Sequence, residues 1–598
     1  MSLPQRRGRM SLKPLARQPD PLLWLAALLA TCLPALLAYN LPPSATLLNQ
    51  CVAVAVWGGF VLVLAPTWRA GGAGPVLAAL AVMALGVGLS WWPGALPSSL
   101  ALSGLGLLAA AAVMVVAGAQ SVRRPGGVAV FEAFAGGLLA AGVLSAVVAL
   151  VQVFAPQWTD GAWIATSGLP GRAVGNLRQP NHLCSLLLWG VVAAVALMEL
   201  GRLPRALAVV LVALMVFAME LSASRTGAAG LVLLALWAAL DRRLSRTGRV
   251  LLLATLLMYA LSVAAMAAYG HLSHQTLGAE ARLAADAGVE SPNSRLNIWR
   301  TAWALVQAQP LTGVGFGEFN FAWTLTAFPG RPTAFFDHSH NLPLQLAVEL
   351  GLPAAALVLG LLGWSLWLAW RRNGRAEGAP GVAARSALML VLLIGLHSLV
   401  EYPLWYAYFL LPAAFAWGVA VARAPGPDEA AQLTDGGEDS VTDARPHRAG
   451  LVAGALLVLG GAGAVLDYQR VVVIYAPGEH SGPLAERIAA GQRSPLFAHH
   501  ADYAAATTEG TAASLSLAFQ RAPHQLLDTR LMIAWTRWLS AQGQPVLAST
   551  LVARIREFRN AEAQDFLDEC RRPEATDRIQ CKPPLPPVPW QAFLSATP

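Results

Sequence analysis

Lysine is almost missing from this chain: Lys13 and Lys582 are the only two in 598 residues. Charge of either sign is scarce, at 12% of residues against 56% hydrophobic, and mean hydropathy is +0.53. Soluble domains carry about twice that charged fraction, so an ordinary soluble fold is excluded and a polytopic membrane protein is expected. The net charge of +8 is nearly all arginine. It falls in short connections between apolar spans, a pattern that membrane insertion produces and that gives no case for nucleic-acid binding. Cysteine is also sparse. Cys32, Cys51 and Cys184 lie in apolar segments as small buried hydrophobes. Cys570 and Cys581 lie eleven apart in a polar region, where spacing alone leaves a disulfide and two free thiols equally open. A cleavable signal sequence is not expected, because the basic start (Arg6, Arg7, Arg9, Lys13, Arg17) leads into a full-length span.

What the chain does have is long apolar runs. A crossing needs about 20 apolar residues. Candidate spans are roughly 21–39, 45–65, 75–92, 98–119, 129–153, 182–200, 204–220, 226–240, 249–270, 342–370, 386–402, 404–423 and 449–467, about thirteen in all. Placing the N-terminus inside puts 21 basic residues, among them Arg242, Arg243, Arg371 and Arg372, on the inner side. Only seven arginines before the C-terminal region fall outside: Arg172, Arg178, Arg225, Arg282, Arg295, Arg300 and Arg331. That asymmetry predicts the orientation. The expected plan is an all-α protein with a cytoplasmic N-terminus (1–20) and a transmembrane catalytic domain (21–423). Its long outer loops cover about 154–181 and 271–341. A disordered cytoplasmic linker (424–448), a last span (449–467) and an outer helical domain (468–598) complete it. The tail's periodicity hints weakly at repeated helical hairpins.

The chemistry-bearing residues gather at the outer boundaries. Asp337-His-Ser-His-Asn341 abuts the span beginning at Leu342, a costly place for two imidazoles if packing were their only use. No cysteine or carboxylate set at metal spacing accompanies His338 and His340, so general-base work is the better reading of an imidazole there. The outer arginines suit a pyrophosphate held where water is scarce, against the plain alternative of single arginines snorkelling to headgroups. That alternative weighs most for Arg282 and Arg331 and least for Arg225 and Arg295. Ser294–Val306 predicts an amphipathic helix with Trp299 and Trp303 on one face at the interface. The Gly313-Val-Gly-Phe-Gly run lacks a preceding strand and a following lysine, so a tight turn is expected, not a phosphate loop. Arg178-Gln-Pro-Asn-His182 presents an amide and an imidazole to the same cleft. In Glu401-Tyr-Pro-Leu-Trp-Tyr-Ala-Tyr-Phe, Trp405, Tyr406 and Tyr408 read as interface belt residues, while Glu401 and Tyr402 are placed to hold substrate or an arginine.

These residues carry a resemblance. His340-Asn341, nine residues, then Gly351 is similar to the signature of the bacterial O-antigen ligase and polymerase superfamily, as are Ser224-Arg225 and Ser294-Arg295. Ala354 stands where that pattern has Gly, Thr or Tyr, a departure. Gly175-Asn-Leu-Arg-Gln-Pro-Asn-His and Glu401-Tyr-Pro-Leu-Trp-Tyr-Ala-Tyr-Phe-Leu resemble the branch of bacterial protein O-oligosaccharyltransferases. The resemblance covers about residues 20–425. It implies a GT-C-like membrane enzyme of the bacterial inner membrane with its site facing the periplasm. It implies transfer of a preassembled glycan from undecaprenyl-pyrophosphate to Ser or Thr of exported proteins such as pilins, without metal, nucleotide sugar or cofactor. In that picture His340 activates the acceptor hydroxyl, and Arg225 and Arg295 hold the pyrophosphate. Gln179 and Tyr402 match positions tied to activity. Arg172, Arg178, Asn181, Arg300, His338, Asn341 and Glu401 are candidates for substrate binding around them. An O-antigen ligase with a lipid A-core acceptor, a polymerase joining two lipid-linked glycans, and a transporter are the rival readings. A transporter would put its charges at mid-membrane depth or in paired repeats, and neither is evident here.

Overall fold

The computed structural model describes residues 20–66, 71–92, 94–122, 126–286, 294–422, 447–508 and 512–594. The N-terminal basic cluster, Arg69, Arg123, Arg124 and most of the 424–448 linker lie outside the described residues. Among the described residues the structure is helical, with a single isolated bridge between Leu41 and Ser44. The first half comprises α1 (Pro21–Leu36), α2 (Leu47–Leu64), α3 (Gly74–Trp91), α4 (Ser98–Ser121), α5 (Gly127–Phe154), α6 (Pro180–Glu199), α7 (Arg205–Ser222), α8 (Arg225–Leu240) and α9 (Arg246–Ser273). The long connection that follows builds three short helices, α10 (Gly278–Asp286), α11 (Arg295–Ala308) and α12 (Phe319–Leu325). Then come α13 (Leu342–Asn373), α14 (Gly378–Ser398), α15 (Ala407–Val421) and α16 (Arg448–Tyr475). The tail holds α17 (Leu484–Gly491), α18 (Ala498–Thr507), α19 (Ala512–Arg521), α20 (Thr529–Ala541) and α21 (Pro545–Phe558), successive helices packing on one another.

Ten of these helices are long and apolar enough to cross a membrane, and α1, α8 and α15 are shorter apolar helices. Each corresponds to one span expected from the sequence, with shifted ends. The largest shifts are eight residues each: α14 begins at Gly378 where 386 was expected, and α16 runs on to Tyr475, where Tyr468, Val471, Val472 and Ile474 bury against neighbours. Large apolar side chains such as Leu85, Val210, Leu257, Leu261 and Leu456 face outward, as lipid-facing helices require. At the centre lies α6, with 94% of its apolar window buried and α5, α7, α8 and α14 around it. Two pairs close by removing side chains. A Cβ at Gly118 of α4 would meet Phe415 O of α15 at 2.1 Å, and one at Gly418 would meet Val115 O at 2.1 Å. Gly58 of α2 and Gly454 and Gly461 of α16 do the same for the other pair. Lipid tails supply no hydrophobic drive between helices, so close backbone approach through small residues is what holds such pairs.

One interruption bears directly on the site. Within α13, Gly351 adopts φ +76, a conformation open to glycine, and Pro353 has no N–H. The carbonyls of Val348 and Glu349 therefore lose their helical donors. They accept instead from Val314 N (2.8 Å) and Gly315 N (3.0 Å), while Leu352 N donates to Pro310 O (2.8 Å). The glycine run at 313–317, expected as a tight turn, is thus a backbone splice laid into a broken helix. A Cβ at Gly313 would meet Glu349 C at 2.5 Å. This fixes the long connection to the helix that begins immediately after the histidine pair.

Candidate active site

The histidine pair lies on a strap that precedes α13 and is tied down at each residue. Ser339 N donates to Gln345 Oε1 (2.7 Å), and Trp299 Nε1 of α11 donates to Ser339 O (3.1 Å). Asn341 caps α13 by accepting from Leu344 N (2.9 Å), and its amide donates to Leu399 O (2.9 Å) at the end of α14. Between these anchors His340 sits at φ +56, a left-handed conformation that is costly for a non-glycine residue and persists only where the surroundings impose it. Trp299 was expected to share an interfacial face with Trp303. Trp303 is half exposed, whereas Trp299 turns in to hold the strap.

Glu401 is the hub. Its Oε2 accepts from His340 Nδ1 at 2.7 Å, and its Oε1 pairs with the Arg295 guanidinium and accepts from Asn181 Nδ2 at 3.3 Å. Asn181 Oδ1 in turn accepts from Ser224 Oγ at 2.6 Å, and that oxygen caps α8 by accepting from Gly227 N at 3.0 Å. Arg225, exposed, is the first residue of α8, directly after this cap. Arg295 is the first residue of α11, after the Ser294 cap. Both helices thus begin with a serine cap that sets the following arginine beside the network. Burial alone would push the Glu401 carboxyl up. The His340 hydrogen bond and charge, with the Arg295 charge, outweigh it and hold the group below its ordinary range. An ionised carboxylate only accepts, so Nδ1 of His340 carries the proton and Nε2 is left as the basic nitrogen.

An aromatic wall stands beside the hub. Tyr402 stacks on His338 (centroids 4.3 Å apart, 16° between planes) and meets His340 edge-on at 4.9 Å. Burial, with Asp337, Tyr406 and Glu401 nearby, raises the Tyr402 hydroxyl far above its ordinary value, so it remains a hydrogen donor. Trp405, Tyr406 and Tyr408 were expected as belt residues, and this is corrected. Trp405 packs edge-on against His338 at 4.8 Å, Tyr406 lies 4.7 Å from His182, and Tyr408 is buried with its hydroxyl 3.3 Å from His182 Nδ1. The turn after α14 folds inward because each ring finds an imidazole to cover.

The other candidates have contacts of their own. His182 is buried among Tyr406, Tyr408 and His397, so Asn181 reaches the network and the neighbouring imidazole does not. Gln179 caps α6 through its side-chain oxygen, accepting from His182 N at 2.8 Å. Arg178, at φ +57, donates to Ala38 O (2.7 Å), and Arg172 straddles Ser222 O (2.9 and 3.1 Å). Arg300 is exposed and contacts Asn297. Arg282 donates to Ala223 O (3.0 Å). Arg331 is fully buried. It donates to the carbonyls of Trp323, Thr324 and Thr326, and its guanidinium lies 4.0 Å from the Phe558 ring. It clasps the long connection to the tail and does not snorkel. His338 Nδ1 lies 3.1 Å from Asp337. Among the described residues no three His, Cys, Asp or Glu side chains converge as a metal set. Cys570 and Cys581 are bonded to each other.

Sequence reasoning did not single out Gln345, which holds the strap through Ser339 and donates to Glu349 (2.9 Å). It also passed over His397, whose Nδ1 is 2.7 Å from Ser185 Oγ. A histidine deep in an apolar span was the available signal for the second.

Three separate stretches supply the network, and each matches a known family. Residues 173–198, with Asn181, match the protein glycosylation ligase family. Residues 210–359, with Ser224, Arg295 and His340, match the O-antigen ligase family. Residues 386–566, with Glu401, match the C-terminal part of a virulence factor membrane-bound polymerase family. A general O-oligosaccharyltransferase of Acinetobacter baylyi is 28% identical over 310 residues, 48% of this chain and 50% of that protein. The chain is similar to bacterial O-oligosaccharyltransferases and, over part of its length, to the O-antigen ligase family. A ComP-specific O-oligosaccharyltransferase of the same organism is 26% identical over 274 residues, 43% of this chain and 45% of the relative. The chain thus spans about half the length of these curated relatives.

Proposed function

We propose that the protein transfers a preassembled oligosaccharide from undecaprenyl-pyrophosphate to a serine or threonine of an exported protein, such as a pilin, at the periplasmic face of the inner membrane. The hydrogen-bonded cluster of His340, Glu401 and Arg295 carries this reading. Both named relatives are O-oligosaccharyltransferases, and the Cys570–Cys581 bond is in keeping with an oxidising compartment for the tail.

In the reaction, His340 Nε2 takes the proton of the acceptor hydroxyl as its oxygen attacks the anomeric carbon. The bond from that carbon to the phosphate oxygen breaks, and undecaprenyl-pyrophosphate leaves with the electron pair. Glu401 keeps the imidazole in the tautomer that exposes Nε2, and its charge opposes the imidazolium that forms. Arg225 and Arg295 face the leaving pyrophosphate, whose negative charge their guanidiniums offset. Tyr402 packs against the imidazole and fixes its plane. No metal is needed in this scheme, because the arginines provide the electrostatic stabilisation.

The test is deletion of the gene followed by analysis of exported glycoproteins and lipopolysaccharide, with complementation by wild type and by His340→Ala. Loss of glycoprotein with intact O-antigen is expected, and His340→Ala should fail to restore it. Loss confined to O-antigen capping would transfer the assignment to a ligase with a lipid A-core acceptor. Normal glycosylation from well-expressed His340→Ala would refute the assigned base.

A further inference from the structure

An amide and a carboxyl lie buried inside α13 and play no part in the chemistry above. Gln345 is 2% exposed and Glu349 is 5% exposed, although both sit in a helix long and apolar enough to cross a membrane. Four residues apart, they share one face, and Gln345 Nε2 donates to Glu349 Oε1 at 2.9 Å. Polar groups are costly to bury in such a helix, and packing alone would be better served by leucine. What the two side chains hold therefore decides their use.

The pair bridges two pieces of backbone. At one end Gln345 Oε1 accepts from Ser339 N of the strap at 2.7 Å. At the other, the Glu349 carboxylate meets the N–H of Gly317, and Glu349 O accepts from Gly315 N at 3.0 Å. The glycine splice is itself fixed. Phe316 N donates to Ser90 Oγ of α3 (2.7 Å), and Glu318 is bonded by His524 of the tail (2.7 Å). Two buried side chains thus tie the strap to a frame shared by α3, α13 and the tail.

His340 follows Ser339 directly. Gln345 holds Ser339 N, Trp299 Nε1 holds its carbonyl (3.1 Å), and its hydroxyl donates to Asn341 O (3.1 Å). These anchors impose the φ of +56 at His340, since a left-handed residue other than glycine relaxes to negative φ once its grip is lost. That rotation carries the imidazole away from Glu401, whose Oε2 lies 2.7 Å from Nδ1. We infer that Gln345 and Glu349 are positioning residues for the base, whose bridge keeps the strap in the conformation that seats His340 on Glu401. Both act through the Ser339 amide. This deepens the reading of the protein as an oligosaccharyltransferase and rests on it for the reaction that His340 serves.

The test is to swap the two side chains. Gln345→Glu alone sets two carboxyls against each other, and Glu349→Gln alone turns an amide NH2 toward a backbone N–H. Gln345→Glu with Glu349→Gln rebuilds the bridge with its donor reversed: the amide at 349 donates to the carboxylate at 345, which still accepts from Ser339 N. Full-length protein in nanodiscs is assayed for glycan transfer from lipid-linked donor and for hydrogen exchange over 337–341. Each single variant should lower kcat about tenfold, leave donor KM within about twofold and speed exchange of the strap, and the double variant should recover both. Wild-type kcat in folded single variants overturns the positioning role. So does a double variant that regains the wild-type melting temperature and strap exchange but not kcat, because the pair then serves stability alone. Trp299→Phe loosens the same Ser339 peptide from its other side, and it decides the matter if both single variants fail to fold: a similar fall in kcat upholds the role and wild-type kcat overturns it. Strap exchange that follows the swap in a protein with no transferase activity upholds the bridge and removes the catalytic reading instead.

Discussion

Glu401→Gln isolates the hub because it keeps the side chain's shape and deletes its charge. In the wild type the carboxylate accepts from His340 Nδ1 at 2.7 Å while its other oxygen holds Arg295 and Asn181. When His340 takes a proton, opposite charges face each other with centres about 4 Å apart. At an effective dielectric constant near 20 that attraction is about 4 kcal/mol. Arg295 already draws on the same carboxylate and is partly exposed, so about half remains for the transition state, roughly 2 kcal/mol or 30-fold in rate. The amide also has to choose between accepting from His340 and accepting from Arg295. Any fraction of His340 turned to the wrong tautomer adds to the loss, toward about 10³-fold. The measurement is glycan transfer by purified protein in nanodiscs, with saturating lipid-linked donor and an acceptor protein, read by intact mass. A fall in kcat of about 30- to 1,000-fold is expected, with donor KM unchanged or lower because Arg295 is freed for phosphate. A Glu401→Gln protein that keeps wild-type kcat and shows only a raised KM would refute the role given to the carboxylate.

Three further perturbations follow from the packing. Gly351→Ala places a Cβ 2.3 Å from Leu311 O at φ +76, so a loss of about 2–4 kcal/mol and of activity is expected; Gly360→Ala on the same helix, with nothing within 4 Å, is the silent control in thermal melts. Arg331→Met leaves three carbonyls, two of them buried, without their donor, and an increase in hydrogen exchange over 323–331 and 554–558 should report about 2–4 kcal/mol of lost docking; unchanged protection would contradict the clasp. Burial raises the Asp502 carboxyl from 3.8 to about 7, with Gln492 and Arg521 offsetting only part of the effect. A raised carboxylate favours the folded state when protonated, so wild-type stability falls as pH rises from about 4 to 7 and then levels off. Asp502→Asn keeps the acceptor for Gln492 and should melt higher than wild type above pH 7, with the gap closing toward pH 4; a gap independent of pH would show that the carboxyl does not titrate there.

The sequence alone determined where the long apolar helices fall, because a span is a local property: about 20 apolar residues suffice, whatever surrounds them. The correspondence between expected spans and helices reflects that locality. The amphipathic helix beginning near Arg295 and the prominence of His340 were legible for the same reason. What the chain order could not reveal was which polar groups meet. Glu401 lies 61 residues from His340, 106 from Arg295 and 220 from Asn181. Only the packing of α6, α8, α11 and α14 makes that carboxylate the common partner of three segments. Tertiary contact likewise sorted the candidate arginines, sending Arg331 into a clasp and Arg178 and Arg172 onto backbone carbonyls, because a guanidinium shielded from water takes whatever acceptors its neighbours leave open. It also explained the nine residues between Asn341 and Gly351. That is the length of helix from the histidine strap to the break where the 310–315 segment docks. Sequence named the catalytic candidates, and the fold decided which of them share a carboxylate.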